Sequence, residues 1–117
     1  MKNILLSALM ATSLLLTGCS SSQDTSPQNS SVTQVIDVRT PDEYASGHVA
    51  NAINIDVESS IFANQIAELD SEGVYLVYCH SGRRSAIAAQ AMSEAGLTVL
   101  DGGGLDAMLN NGWELGQ

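Results

Sequence analysis

A layered α/β domain with a mostly parallel sheet is the fold class this sequence predicts. Short apolar or β-branched runs recur at residues 35–38, 52–55, 74–78 and 97–100, and segments with helix-start signals or helical spacing lie between them. The run 74–78 is almost continuously apolar, as a strand covered on both faces should be. Strands that alternate with helices lie side by side in parallel, because each helix carries the chain back to the starting edge of the sheet.

Each element follows from local chemistry. Residues 35–38, Val-Ile-Asp-Val, read as a short strand. Thr40-Pro41-Asp42-Glu43 is a helix start, with Thr40 as N-cap, Pro41 at the first helical position and Glu43 placed to close a capping box. Gly47 ends that helix, and residues 52–55 form a second strand. Residues 59–69 set Ile61, Phe62, Ile66 and Leu69 at roughly helical spacing before Gly73 breaks the pattern. The strand at 74–78 is expected at the centre of the sheet. An Ala-rich helix is predicted over 85–95, ended by Gly96, then a strand at 97–100. Asp101-Gly102-Gly103-Gly104 reads as a turn beside the site rather than a phosphate cradle, and 105–109 as a last helical turn or two. Phe62 and Trp113 are expected in the core.

The first residues are of another kind. Met1-Lys2-Asn3 carries one positive charge, and residues 4–16 form an apolar stretch too short to span a bilayer but suited to the core of a secretory signal. Leu16-Thr17-Gly18-Cys19 follows, and resembles the lipobox of bacterial lipoproteins. The resemblance implies a signal peptide over 1–18, lipidation at Cys19 and anchoring by several acyl chains. Ser20 stands where an Asp would resemble an inner-membrane retention signal, which favours the outer membrane, facing the periplasm. Residues 20–31 have no apolar side chain, so 19–31 is expected to be the lipidated Cys and a flexible tether. A single domain is left over 32–117, enough for one modest core.

Charge narrows the partners. The chain has 117 residues, 13 Asp and Glu, and a net charge of −9. Beyond the expected leader the only cations are Arg39, Arg83 and Arg84, which disfavours nucleic acid and anionic headgroups. Most acids read as solvated surface. With Cys19 lipidated, Cys79 has no partner thiol in its own chain, and one thiol with two distant His make no metal-ligand cluster. No metal and no cofactor are expected.

Two of the three cations lie in one heptapeptide, Cys79-His80-Ser81-Gly82-Arg83-Arg84-Ser85. It follows the expected central strand and runs into the Ala-rich helix, where ligands of open α/β sheets gather. Gly82 permits a tight turn with N–H groups aimed inward, and a helix N-terminus adds roughly half a positive charge. With the arginines, these should lower the Cys79 thiol below a free value of about 8.5. A thiolate at neutral pH attacks without a separate base, and the same donors would hold an oxyanion.

Four stretches together carry a family resemblance. They are Ile36-Asp37-Val38-Arg39-Thr40-Pro41-Asp42-Glu43-Tyr44, then Gly47-His48-Val49-Ala50-Asn51-Ala52-Ile53-Asn54-Ile55, the Cys79 loop with Arg84-Ser85, and Leu100-Asp101-Gly102-Gly103. In this order and spacing the chain resembles a single-domain rhodanese-like protein of the thiosulfate sulfurtransferase family. The resemblance implies a three-layer α/β/α sandwich with a mainly parallel five-stranded sheet. It also implies an enzyme with Cys79 as nucleophile, which takes sulfane sulfur from a small anionic donor such as thiosulfate and passes it to a thiol or cyanide. Four residues separate Cys79 from Arg84. Related phosphatases and arsenate reductases resemble the pattern with a loop one residue longer, so the shorter loop favours sulfur.

Within that resemblance Arg83 is expected at the mouth, attracting the donor. Two roles are open to Arg84: contact with substrate, or a pair with Asp37 that braces the loop. Asp37 and Arg39 match a strand-end ion pair in a supporting role. His80 is expected to contribute its backbone N–H more than its imidazole. Ser81, Gly82 and Ser85 are expected near the bound sulfur, Ser85 as a helix cap. Glu43 and His48 are expected to fix loop packing. Asp56 departs from the family pattern, where a Pro is common. The alternative to an enzyme with turnover is a persulfide carrier or binding module that relays sulfur to a protein acceptor.

Overall fold

The computed structural model describes residues 31–116. The expected leader, Cys19 and the tether up to residue 30 lie outside the described residues, as does Gln117. The elements run β1 (Gln34–Asp37), α1 (Pro41–Ala45), β2 (His48–Val49), β3 (Ile53–Asn54), α2 (Phe62–Ala67), β4 (Val74–Cys79), α3 (Arg83–Glu94), β5 (Thr98–Gly104), α4 (Leu105–Asn110) and β6 (Leu115–Gly116). Local signals acted as expected at α1. The Thr40 side chain accepts from the Glu43 N–H, the Glu43 side chain accepts from the Thr40 N–H, and Pro41 opens the helix.

The main sheet has the order β3-β1-β4-β5 with every pairing parallel, and β2 pairs antiparallel with β6 in a separate ribbon. Four strands thus make the main sheet among the described residues, where five were expected. The two-residue strands β2 and β6 satisfy their backbone groups on each other, extended by the Ala50 N–H donating to the Glu114 carbonyl, rather than adding to the sheet edge.

Side chains alternate across the strands, and each face builds its own core. Ile36, Val38, Val77 and Cys79 pack with Phe62 and Ile66 of α2 and with Ala88 and Met92 of α3. Val35, Leu76 and Tyr78 pack on the other face with Val49, Ala52 and Met108 of α4, and Trp113 is partly buried against them. Helices therefore cover both faces, in three layers. Burial of side chains as large as Ile36 or Met92 contributes about 1.5–3 kcal/mol each.

The connectivity positions the site. The chain steps from β1 to β3 on one side, then crosses to β4 and β5 on the other. The reversal lies between β1 and β4, where open parallel sheets form a crevice beyond their carboxyl ends. Cys79 is the last residue of β4.

Candidate active site

Cys79 has 0% of its surface exposed. Gly82, with φ +100°, turns the chain into α3 as its N-cap, and no side chain caps that helix. The sulfur takes the place of a cap. The Gly82 N–H donates to the Cys79 Sγ at 2.9 Å, and the N–H groups of Ser81 and Ser85 and the Ser85 hydroxyl also act on it. Burial pushes the thiol up, but these hydrogen bonds outweigh it and hold the thiol below its ordinary value. The donors belong to the turn and the first turn of α3, where a helix leaves N–H groups without internal partners. His80 is exposed, and its carbonyl accepts from the Leu105 N–H at 3.3 Å.

The glycine run at 102–104 is the end of β5 rather than a turn. Gly104 pairs with Cys79 across a register shift and forms a bridge with Ser81. A Cβ on Gly104 would lie 2.6 Å from the His80 carbonyl oxygen, so only glycine lets the strand approach the loop this closely. Ser85 is also placed differently from expectation. It is the third residue of α3, is fully buried, and its hydroxyl oxygen lies 2.7 Å from Asp101 Oδ1 and 3.1 Å from the Gly82 carbonyl. Gly82 is the cap, because only a left-handed residue makes this turn.

Arg84 braces the loop, but not through Asp37. Its Nη1 and Nη2 donate to the two Glu43 carboxylate oxygens at 2.8 and 3.0 Å, and Glu58 Oε2 lies 3.9 Å from Nη1. The Arg84 side chain draws the Glu43 carboxyl down to about 2. A carboxyl lowered on folding adds stability that is present above its unfolded value of about 4.3 and is lost as pH falls through the folded value. Both side chains are partly exposed, so the pair contributes only about 0.5–1 kcal/mol. In Arg84→Met, the loss of stability between about pH 4 and pH 2 should become shallower by that amount, as chemical denaturation at stepped pH would show. An unchanged acid limb would count against the pairing in solution.

Asp37 cannot reach Arg84, because it faces the other side of the sheet. It lies beside Tyr78 in the parallel register, and Tyr78 and Cys79 point to opposite faces. There Asp37, 0% exposed, accepts from the Arg39 N–H, Nε and Nη2 and from the Tyr78 hydroxyl, at 2.7–3.1 Å. Arg39 Nη2 also donates to the Gly47 carbonyl at 2.7 Å, and the Val49 N–H donates to the Tyr78 oxygen at 2.9 Å. The knot ties β1, β4 and the strand ribbon together beneath the loop. His48 stacks on Tyr44 with ring centroids 3.7 Å apart, and its Nδ1 lies 2.9 Å from the Tyr44 carbonyl.

A cleft of about 490 Å³ opens over the outer side of the loop, lined by Val57, Glu58, Ser81, Arg83, Arg84 and Ile87. Arg83 is exposed there, and no ion pair neutralises it among the described residues. The chain thus has a cradle of N–H groups around Cys79 beside an exposed cation, and the rhodanese-like domain family model matches its residues 23–107. The chain belongs to the rhodanese family.

Among rhodanese relatives, the chain is 38% identical over 69 residues to the thiosulfate sulfurtransferase PspE of Escherichia coli K12, covering 59% of this chain and 66% of that one. It is 36% identical over 73 residues to the thiosulfate sulfurtransferase GlpE of Pseudomonas paraeruginosa, covering 60% and 64%. The chain thus spans just under two thirds of the length of these curated relatives. The crystal structure of a rhodanese-related protein from Thermoplasma volcanium superposes with a TM-score of 0.62 at 34% identity, covering 71% of this chain and 82% of that one. The rhodanese α/β fold is thereby shown.

Sequence reasoning missed three parts of this rhodanese site. Asp101, the partner of Ser85, was hidden in what read as a turn. Val57, Glu58 and Ile87 carry no motif and reach the cleft only through the fold. Tyr78 read only as part of the apolar strand 74–78, and its place beside Asp37 follows from the β1–β4 register.

Proposed function

We propose that this protein moves sulfane sulfur from an anionic donor such as thiosulfate, through a persulfide on Cys79, to a thiol or cyanide acceptor. The observation that carries the reading is the Cys79 Sγ at the focus of the Ser81, Gly82 and Ser85 N–H groups. The thiolate attacks the outer sulfur of thiosulfate, the S–S bond breaks, and sulfite leaves with the bonding electron pair. The acceptor then attacks the terminal sulfur of the Cys79 persulfide and takes it, and the Cys79 thiolate departs into the same N–H cradle. The donors that lower the thiol in the first step stabilise the leaving thiolate in the second. Cys79 itself is buried, and Ser81, Arg83 and Arg84 of its loop line the cleft from which a reagent would approach.

Arg83 is the group that holds the donor in this reading, since Arg84 is committed to Glu43. A charge-assisted contact to the sulfonate end is worth about 1.5–3 kcal/mol. Arg83→Ala should therefore raise the KM for thiosulfate roughly tenfold in steady-state transfer to cyanide, with little change in the rate of Cys79 alkylation. The opposite pattern would show that Arg83 chiefly tunes the thiol. The second reading, relay to a protein thiol with poor turnover alone, is favoured by Ile87, 55% exposed on the cleft wall. Slow transfer to cyanide beside fast persulfide formation would select it.

The location belongs to the same proposal. Leu16-Thr17-Gly18-Cys19, with Ser20 after it, supports a chain cleaved before Cys19, lipidated there and held at the outer membrane facing the periplasm. Among the described residues no helix is long and apolar enough to cross a membrane. Palmitate labelling that Cys19→Ala abolishes would support the anchor, and an unprocessed, unlabelled chain would refute it.

A further inference from the structure

The Ser85 hydroxyl has one proton and more than one claimant. Its oxygen lies 2.7 Å from Asp101 Oδ1, 3.1 Å from the Gly82 carbonyl and 3.4 Å from the Gly103 carbonyl, and the hydroxyl also acts on the Cys79 sulfur. A hydroxyl donates once and accepts twice. The shortest contact is to a carboxylate, with the length of a charge-assisted O–H···O⁻ bond. Asp101 is itself held in place, because the same Oδ1 accepts from the Gly103 N–H at 2.9 Å. The shortest of these contacts therefore draws the proton towards Asp101.

We propose that Asp101 is a positioning residue for Cys79, holding the Ser85 proton away from the sulfur until negative charge gathers there. While Cys79 is a thiol, the hydroxyl serves Asp101. When the thiolate forms, or departs from the persulfide, the hydroxyl rotates and its proton adds a fourth donor to the three N–H groups. No bond is made or broken in the rotation; one hydrogen bond is exchanged for another. Asp101 thus makes the thiol less acidic than the cradle alone would, and reserves one donor for the charged states. The inference rests on Cys79 being the reacting thiol of the proposed transfer, but thiol acidity can be read without any sulfur donor.

The other charged groups around the loop are Arg84 with its Glu43 and Glu58 partners, the exposed His80 and Arg83, and the exposed Asp106 in the first turn of α4. None of them contacts the Ser85 hydroxyl in the bonds it makes. The test is the pH dependence of iodoacetamide alkylation in the full chain, followed on the Cys79-containing peptide by mass spectrometry. Asp101→Asn keeps an oxygen for the Gly103 N–H but removes the charge that holds the proton. It should lower the alkylation midpoint by about 0.5–1 pH unit. Part of any such shift is direct charge removal, so the same substitution is made in a Ser85→Ala background, where the shift should be less than half as large. Asp101→Ser, whose hydroxyl can also accept from the Gly103 N–H, should move the midpoint in the same direction if Asp101→Asn folds poorly. A midpoint that does not fall, or a shift half as large or larger without the Ser85 hydroxyl, overturns the proposal.

Discussion

Cys79→Ser is expected to abolish sulfur transfer, with the rate from thiosulfate to cyanide falling by at least about three orders of magnitude. Serine fits the site, and its oxygen can accept from the Gly82 N–H that now donates to sulfur at 2.9 Å. What it lacks is the chemistry. A hydroxyl ionises far above neutral pH, and the groups that act on the sulfur are hydrogen-bond donors that stabilise a charge already formed. Thermal unfolding should therefore change little while activity disappears. Near-parental activity in Cys79→Ser would remove the thiol from the mechanism. A collapse of Tm would mean that the activity measurement reports on folding instead.

Arg39→Met is expected to give the largest loss of stability, about 3–5 kcal/mol. The substitution leaves Asp37 fully buried with only the Arg39 N–H and the Tyr78 hydroxyl as hydrogen-bond donors. Domains of this size are stable by about 5–15 kcal/mol, so the variant sits near the edge of folding. Its Tm should fall by of order 20 °C. The loss comes from stranding a charge rather than from losing an attraction, so the double variant Asp37→Leu/Arg39→Met should recover much of it. In contrast, the Cys79 alkylation profile of folded Arg39→Met should stay close to the parent, because the knot lies on the other face of the sheet. A single variant as stable as the parent would mean that water reaches Asp37 in solution.

How far the sequence was legible depended on how local each signal was. The capping box of Thr40 and Glu43 spans four residues and its reading held in full. The second duty of Glu43, to bind Arg84 from 41 residues away, is a tertiary contact that no spacing announces. Gly102–Gly104 read as a turn because glycine is rare in strands. The cause of glycine there is steric: β5 presses its backbone against His80 and Ser81, and that requires knowledge of the neighbouring strand. The helix expected over 59–69 is the shorter α2, Phe62–Ala67, in which Phe62 and Ile66 are buried, while Ile61 stays exposed and Leu69 packs on the core from beyond the helix end. The pairing of Arg84 with Asp37, one of the two roles open to Arg84, is excluded by the register of β1 on β4, which only the fold reveals. Adjacent strand residues face opposite ways, so an Asp in register with Tyr78 could not share a face with the Cys79 loop.

The central claim, that Cys79 carries sulfur, is tested most directly by weighing it. The full chain is treated with thiosulfate, digested without reductant, and the Cys79-containing peptide is measured by mass spectrometry. The account predicts a gain of one sulfur atom on that peptide, removed by dithiothreitol and absent in Cys79→Ser. No gain from thiosulfate or from polysulfide, in a chain whose Cys79 still alkylates, would contradict it.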